Sequence, residues 1–159
     1  MESVETFNVN TSFGLMVGRT AKLMAEHLQE RFAASGIGIS MGHWIILAQL
    51  WNEDGLSQQE ISKRSGVAKP NVTTMVDTLE AESYIVRVPD QTDRRVNRIF
   101  LTQKAKAIRC EAIRNALSVY DTAFEGLSEN EQTAFVRSLA VVMKNLQMRD
   151  NTGSCPHSF

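Results

Sequence analysis

Between positions 56 and 101 the sequence is punctuated so closely that only short elements can form, in one order. Ser57 stands three residues before Glu60, the spacing of a capping box. In that motif the serine hydroxyl accepts the backbone N–H three residues on, and the glutamate reaches back to the N–H of the serine. A short helix therefore starts at Ser57, turns Ile61 inward and ends where Gly66 follows Ser65 and can supply a left-handed residue. Pro70 suits the first turn of a second helix, where the N–H it lacks would have had no intrahelical partner. In that helix Val72, Met75, Val76 and Leu79 recur at three-and-four spacing and should pack inward. Asn71, Thr73, Thr74, Asp77 and Thr78 are left to the opposite side. Two β-branched and aromatic runs follow at 84–88 and 96–101, flanking a polar loop, which reads as a hairpin.

Helix, sharp turn, helix and charged hairpin is the layout of a winged helix-turn-helix, a fold that can lie on duplex DNA. A helix entering the major groove can read base edges and thymine methyls with short donor–acceptor side chains. Asn71, Thr73, Thr74 and Thr78 are the candidate base readers, although a solvated helix face would use the same residues. The hairpin tip carries Arg94 and Arg95 side by side, suited to phosphate oxygens or to the negative potential of a narrow minor groove. Lys69 and Arg98 are the candidates for supporting phosphate contacts. A charged loop alone is usually only solvated; its place directly after the helix pair favours nucleic acid. Asp77 would be repelled by phosphate and is expected to orient a nearby arginine.

These residues resemble the MarR family of bacterial transcriptional regulators over most of the chain. The resemblance lies in the order and spacing of His43-Trp44-Ile45-Ile46-Leu47, Gly55-Leu56-Ser57-Gln58-Gln59-Glu60-Ile61, Val76-Asp77-Thr78-Leu79-Glu80, Asp93-Arg94-Arg95 and Leu101-Thr102. It implies a homodimer whose outer helices interlock and whose two winged domains contact a pseudo-palindromic operator. It also implies, as in many relatives, a repressor that releases DNA when a small, often aromatic, anion binds near the junction of the two regions. Arg19, His27, His43 and Trp44 are the candidates for such an effector site, the alternative being that both histidines make ordinary helix-to-helix hydrogen bonds. Positions corresponding to Thr74 and Thr78 are often arginine in the family, so an operator cannot be borrowed from a relative. Ser83 stands where glycine is common, and a positive φ there would cost about 1 kcal/mol. The cysteine near the start of the first helix through which some relatives sense oxidants is missing from this sequence.

The charge balance points to local rather than bulk attraction. The 159-residue chain has a formal net charge of −1, which argues against a polybasic mode of DNA binding. From Leu56 to Leu101, Lys63, Arg64, Lys69, Arg87, Arg94, Arg95 and Arg98 face Glu60, Asp77, Glu80, Glu82, Asp90 and Asp93, a tract close to balance. Only from Arg87 to Arg98 do four arginines outnumber two aspartates, which makes the hairpin the expected phosphate anchor.

Apolar residues at helical spacing from Phe13 to Phe32 predict a long first helix ending near Gly36 or Gly38, and Ser40 can cap a second, central one. Thr102 can cap a fifth helix, and a second capping box, Ser128 to Glu131, opens a last one. The expected organisation is an N-terminal helix at 1–39, a winged helix-turn-helix at 40–102, C-terminal helices at 103–147 that dimerise with the first, and a frayed tail at 148–159.

Cys110 and Cys155 are too few and too far apart for a disulfide framework or zinc cluster. Cys110 is expected to be a buried or half-buried structural thiol, and the Cys155–His157 pair incidental. No basic-then-apolar leader, membrane-length apolar run, glycine-rich phosphate loop, nucleophile elbow or metal-ligand cluster is visible. A cytoplasmic protein without catalytic residues, cofactor or metal is expected. A winged module that docks an acidic protein instead of DNA is the other function compatible with these residues.

Overall fold

The computed structural model describes residues 8–150. A 3-10 turn at Val9–Thr11 leads into α1 (Phe13–Ala34), followed by α2 (Met41–Asn52), β1 (Leu56–Ser57), α3 (Gln58–Ser65), α4 (Lys69–Ala81), β2 (Ile85–Pro89), β3 (Asn97–Leu101), α5 (Gln103–Ala123) and α6 (Glu129–Asp150). The fold is mainly helical, with one antiparallel sheet of order β1-β3-β2. Its hairpin pairs Ile85 with Leu101 and Pro89 with Asn97, while Leu56 and Ser57 pair with Ile99 and Arg98. The third strand, β1, is absent from the sequence reading because a two-residue strand has no periodicity to detect.

The chain divides into two compact units, one reaching Tyr120 and the other beginning at Asp121. Ile46, Leu47 and Leu50 of α2, Ile61 of α3, Val72, Val76 and Leu79 of α4, and Leu56, Ile85 and Ile99 of the sheet are sealed in the core of the first unit. Each such aliphatic side chain contributes about 1.5–3 kcal/mol on burial. At Gly42, where α2 meets α4, a Cβ would lie 2.9 Å from the Met75 methyl carbon, and that flexible side chain would have to shift. Phe32, Trp44 and Trp51 form an aromatic run with centroids 5.6 and 5.8 Å apart. The Trp51 indole donates to the Ala105 carbonyl at 3.2 Å, fastening α2 to α5. Buried Asn115 of α5 likewise bonds Ser35 after α1.

The helix ends follow the local chemistry. Ser40 accepts from the His43 N–H, Ser57 and Glu60 close their capping box, and Gly66 ends α3 with φ of 71°. Ser83 has φ of 62°, and the Ser83 and Tyr84 N–H groups donate to the Glu80 and Leu79 carbonyls. That is a Schellman closure with serine in the place that favours glycine. Thr102 accepts from the Ala105 N–H at 3.4 Å at the start of α5.

In the second unit Ser128 and Glu131 form the expected capping box, and Phe124 meets Phe135 edge-on at 5.7 Å. Helix α6 continues through Asp150, so the tail expected from 148 is still helical at its start. Cys155 and His157 lie outside the described residues. Cys110, expected to be at least half buried, is exposed, because the buried row of α5 runs through Ala105, Ala112, Asn115 and Val119. No helix among the described residues is long and apolar enough to cross a membrane.

Candidate nucleic-acid interface

Helix α4 divides as its sequence does. Val72, Val76 and Leu79 are buried, Asn71, Thr74 and Asp77 are exposed, and Thr73 and Thr78 are half-exposed. The threonine hydroxyls on the outer side are turned back into the helix. Thr74 donates to the Pro70 carbonyl at 3.2 Å, Thr78 to the Thr74 carbonyl at 3.0 Å, and Thr73 lies 3.1 Å from the Lys69 carbonyl. Thr73 also reaches Gln58 Oε1 of α3 at 2.9 Å, a cross-helix contact that periodicity alone does not reveal.

Two arginines fasten the hairpin to the helix pair. Arg87 of β2 forms ion pairs with Asp77 and Glu80 of α4, and its backbone N–H donates to Glu80 at 3.2 Å. Asp77 thus orients an arginine, as expected from its repulsion by phosphate. Arg98 of β3 donates at 2.7 Å both to Glu60 of α3 and to Asp90 at the start of the hairpin loop. The Glu60 carboxyl is held below its ordinary 4.5, chiefly by hydrogen bonds from the Ser57 hydroxyl and N–H, with Arg98 and Arg64 adding attraction. Asp90 is held well below the usual carboxylate range by the Thr92 hydroxyl, Arg98 and the N–H groups of Thr92 and Asp93.

These pairs revise two expectations. Arg98, a candidate phosphate contact by sequence, is half-buried between two carboxylates and braces the wing. The excess of arginines from Arg87 to Arg98 likewise overstates the hairpin's free charge, because Arg87 and Arg98 are neutralised within the fold. Arg64 pairs with Glu53 at 2.7 Å. Arg95 chelates Asp93 at 3.0 and 3.1 Å, yet its side chain is 91% exposed and can exchange that partner for phosphate. Lys63, Lys69 and Arg94 are exposed and have no ion pair among the described residues. Nearly balanced by count, the tract therefore keeps its unpaired cations on the surface, while Arg87 and Arg98 are each held by two carboxylates.

That surface borders a cleft of about 600 Å³ between the start of α3 and β3, lined in part by Gln58, Lys63, Lys69, Arg95 and Asn97. A second cleft of about 440 Å³ lies across the wing, by Asp54, Asp90 and Phe100. Gly55, with φ of +81°, lies against β3, its N–H donating to the Ile99 carbonyl at 3.0 Å. A Cβ there would lie 2.8 Å from the Phe100 ring.

The four candidate effector residues line neither cleft. Arg19 and His27 are exposed on α1, and His27 approaches only Glu30, at 3.9 Å. Trp44 is half-buried in the aromatic run. His43 Nδ1 is buried without a hydrogen bond, and Glu82 stands 3.9 Å away. Among the described residues, neither histidine makes the ordinary helix-to-helix hydrogen bond of the alternative reading.

Comparison with known proteins places this geometry in context. The profile of the MarR family matches residues 39–96. The HTH-type transcriptional repressor YetL of Bacillus subtilis is 30% identical over 124 residues, covering 77% of this chain and 74% of YetL. Against another curated regulator, 28% identical, the chain spans 57% of that protein's length. Among solved structures, the repressor CouR bound to a 23-mer DNA duplex superposes with a TM-score of 0.77 at 23% identity, covering 89% of this chain and 99% of CouR. BpsR of Bordetella bronchiseptica, described with regulation of its DNA binding by 6-hydroxynicotinic acid, superposes at 0.79 with 20% identity, covering 86% and 96%.

Proposed function

The chain belongs to the MarR family of transcriptional regulators, and from that premise we propose that it represses transcription as a cytoplasmic homodimer on a pseudo-palindromic operator. Helix α4 enters the major groove with Asn71 and Thr74 foremost and Thr73 and Thr78 beside them. Arg94 and Arg95 at the wing tip hold the flanking backbone or minor groove, and Lys69 adds a phosphate contact. The observation that carries this reading is the sorting of charge. Ion pairing inside the fold leaves Lys63, Lys69 and Arg94 as exposed cations on the same tract as the polar side of α4.

A small aromatic or anionic effector belongs to the same proposal. His43, with its buried and unbonded Nδ1, and neighbouring Trp44 are its best-supported contacts, with Arg19 and His27 available from α1. The compound that regulates DNA binding by BpsR, 6-hydroxynicotinic acid, is an aromatic of this kind. Calorimetry with a panel of aromatic acids tests the pocket; absence of heat and of any change in DNA affinity would remove it.

The test of DNA binding is fluorescence anisotropy on duplexes flanking the protein's own coding region, titrated across salt. Binding that weakens steeply as salt rises is expected from phosphate contacts. Failure to bind any duplex in dilute buffer, with retention of an acidic protein partner, would replace this reading by a protein-docking one.

A further inference from the structure

Gln58 opens α3, Thr73 lies one turn into α4, and their side chains meet across the intervening turn. The Thr73 hydroxyl stands 2.9 Å from Gln58 Oε1 and 3.1 Å from the Lys69 carbonyl oxygen. A hydroxyl has one proton and two lone pairs, so its direction sets the polarity that Gln58 shows to its surroundings. When the proton goes to Gln58, the amide oxygen is engaged and the NH2 group is left to donate. When it goes to Lys69, Thr73 can only accept, and the amide must turn over to donate to it, leaving the carbonyl outward.

Gln58 lines the 600 Å³ cleft together with Lys63, Lys69 and Arg95, and with Glu60, whose carboxylate is taken up by Ser57 and Arg98. The three cations offer donors and positive charge only, which suits acceptors such as phosphate oxygens or the N7 and O6 atoms of a purine. An NH2-outward Gln58 continues that donor surface. The side chain of its neighbour Gln59 is exposed and makes no hydrogen bond among the described residues, whereas that of Gln58 is half-buried and held. A held donor loses less conformational freedom on binding than a free one.

We propose that Gln58 is a specificity-determining DNA contact whose amide NH2 donates to an acceptor of the operator, and that Thr73 is its positioning residue rather than a base reader. This rests on the DNA-binding reading above. It transfers the role expected of Thr73 to a residue fifteen positions earlier, on the other helix of the pair.

The probe is a duplex selected from a random-sequence pool by the wild-type full-length chain. Gln58→Ala weakens binding of that duplex about tenfold, the scale of one well-formed contact, with an unchanged unfolding midpoint. Gln58→Glu, which replaces the donor with negative charge, weakens it further. Thr73→Val, which keeps the shape and removes the hydroxyl, also weakens binding, and Thr73→Ser restores it. The double variant Gln58→Ala/Thr73→Val is no weaker than Gln58→Ala alone, because both changes remove one contact.

Single-base variants of the duplex identify the acceptor. A Gln58→Ala loss that vanishes when one purine is changed marks that base edge, whereas a loss equal on all of them marks phosphate, which carries no sequence information, and overturns the specificity role. The proposal is overturned if Gln58→Ala and Gln58→Glu bind like wild type while Arg94→Ala is impaired, or if the Gln58 and Thr73 losses add. Should the wild type capture no duplex at all, the DNA-binding reading itself falls, an outcome distinct from either of these.

Discussion

Every candidate threonine on α4 has its proton directed inside the protein, which narrows what it can say to a base. Thr74, exposed and bonded to the Pro70 carbonyl, retains acceptor lone pairs and a methyl group. A methyl contact with thymine is the readout that survives this geometry. Thr74→Val, which keeps a methyl group, should therefore preserve the operator preference, whereas Thr74→Ala should change it. Duplex selection against each variant checks the pair, and a Val variant that behaves like the Ala variant would assign the reading to the hydroxyl oxygen. Arg94, exposed and unpaired, should act without regard to sequence. Arg94→Ala should weaken binding to all duplexes and reduce the slope of log affinity against log salt by about 1, with no change in unfolding. At Ser83 the backbone holds φ of 62°. Glycine relieves a left-handed penalty of about 1–2 kcal/mol but loses more chain entropy on folding, so Ser83→Gly should stabilise the protein by a net 0.5–1 kcal/mol, roughly. Urea unfolding at neutral pH measures it.

The wing is a lever whose fulcrum is made of ion pairs between elements. Glu60, joined to Ser57 by its cap and to Arg98 by charge, makes the start of α3 and the base of β3 one unit, and Asp90 extends that unit into the loop. Both carboxyls titrate below their ordinary values of 4.5 and 3.8 in the folded protein. A group depressed on folding contributes stability that is complete above its ordinary value and lost as pH falls through the folded one. Stability should thus be insensitive to these groups near neutrality and decline on acidification from about pH 4.5 downward. Arg98→Met should make that decline shallower and lower stability at pH 7, as thermal unfolding across pH would register. An Arg98→Met profile parallel to wild type would show that the lock contributes nothing to folding. The same pairs mark where the sequence stops being legible. The capping boxes at Ser57 and Ser128, the left-handed Gly66 and the hairpin are written within a few residues and are readable as such. Arg98 and Glu60 are 38 residues apart and are neighbours only in the fold, where β3 pairs with β1. Counting charges along the chain therefore assigns Arg98 to phosphate. Gln58 escapes for the same reason, since helical periodicity places residues on faces but does not say which face of another helix they meet.

At the scale of the whole molecule, apolar surface is left over. Phe13 and Leu23 of α1 are 61% and 54% exposed, and Met143 and Leu146 of α6 are 54% and 63% exposed, on helices long enough to have buried them. Isolated exposed apolar residues are ordinary, but repeated ones along one helix mark a face awaiting a partner, on α1 and on α6 each by itself. A second copy is the partner that also explains recognition. In the proposed homodimer, two-fold symmetry would set the reading helices about 34 Å apart, one turn of duplex, and make capture of the second half-site intramolecular. Leu146→Glu supplies the test, because a charge at a side chain already facing solvent does not disturb the packing of a single chain. Sedimentation should show Leu146→Glu as a folded monomer with wild-type helical content. Its affinity for a full operator should fall by about a hundredfold or more as the avidity of the pair is lost, while the weak affinity for an isolated half-site remains. If Leu146→Glu and Phe13→Glu both sediment as dimers, these exposed positions do not form the subunit seam. If the wild type is itself a monomer that binds the full operator no better than a half-site, the two-fold arrangement is wrong, and α1 and α6 have some other apolar partner.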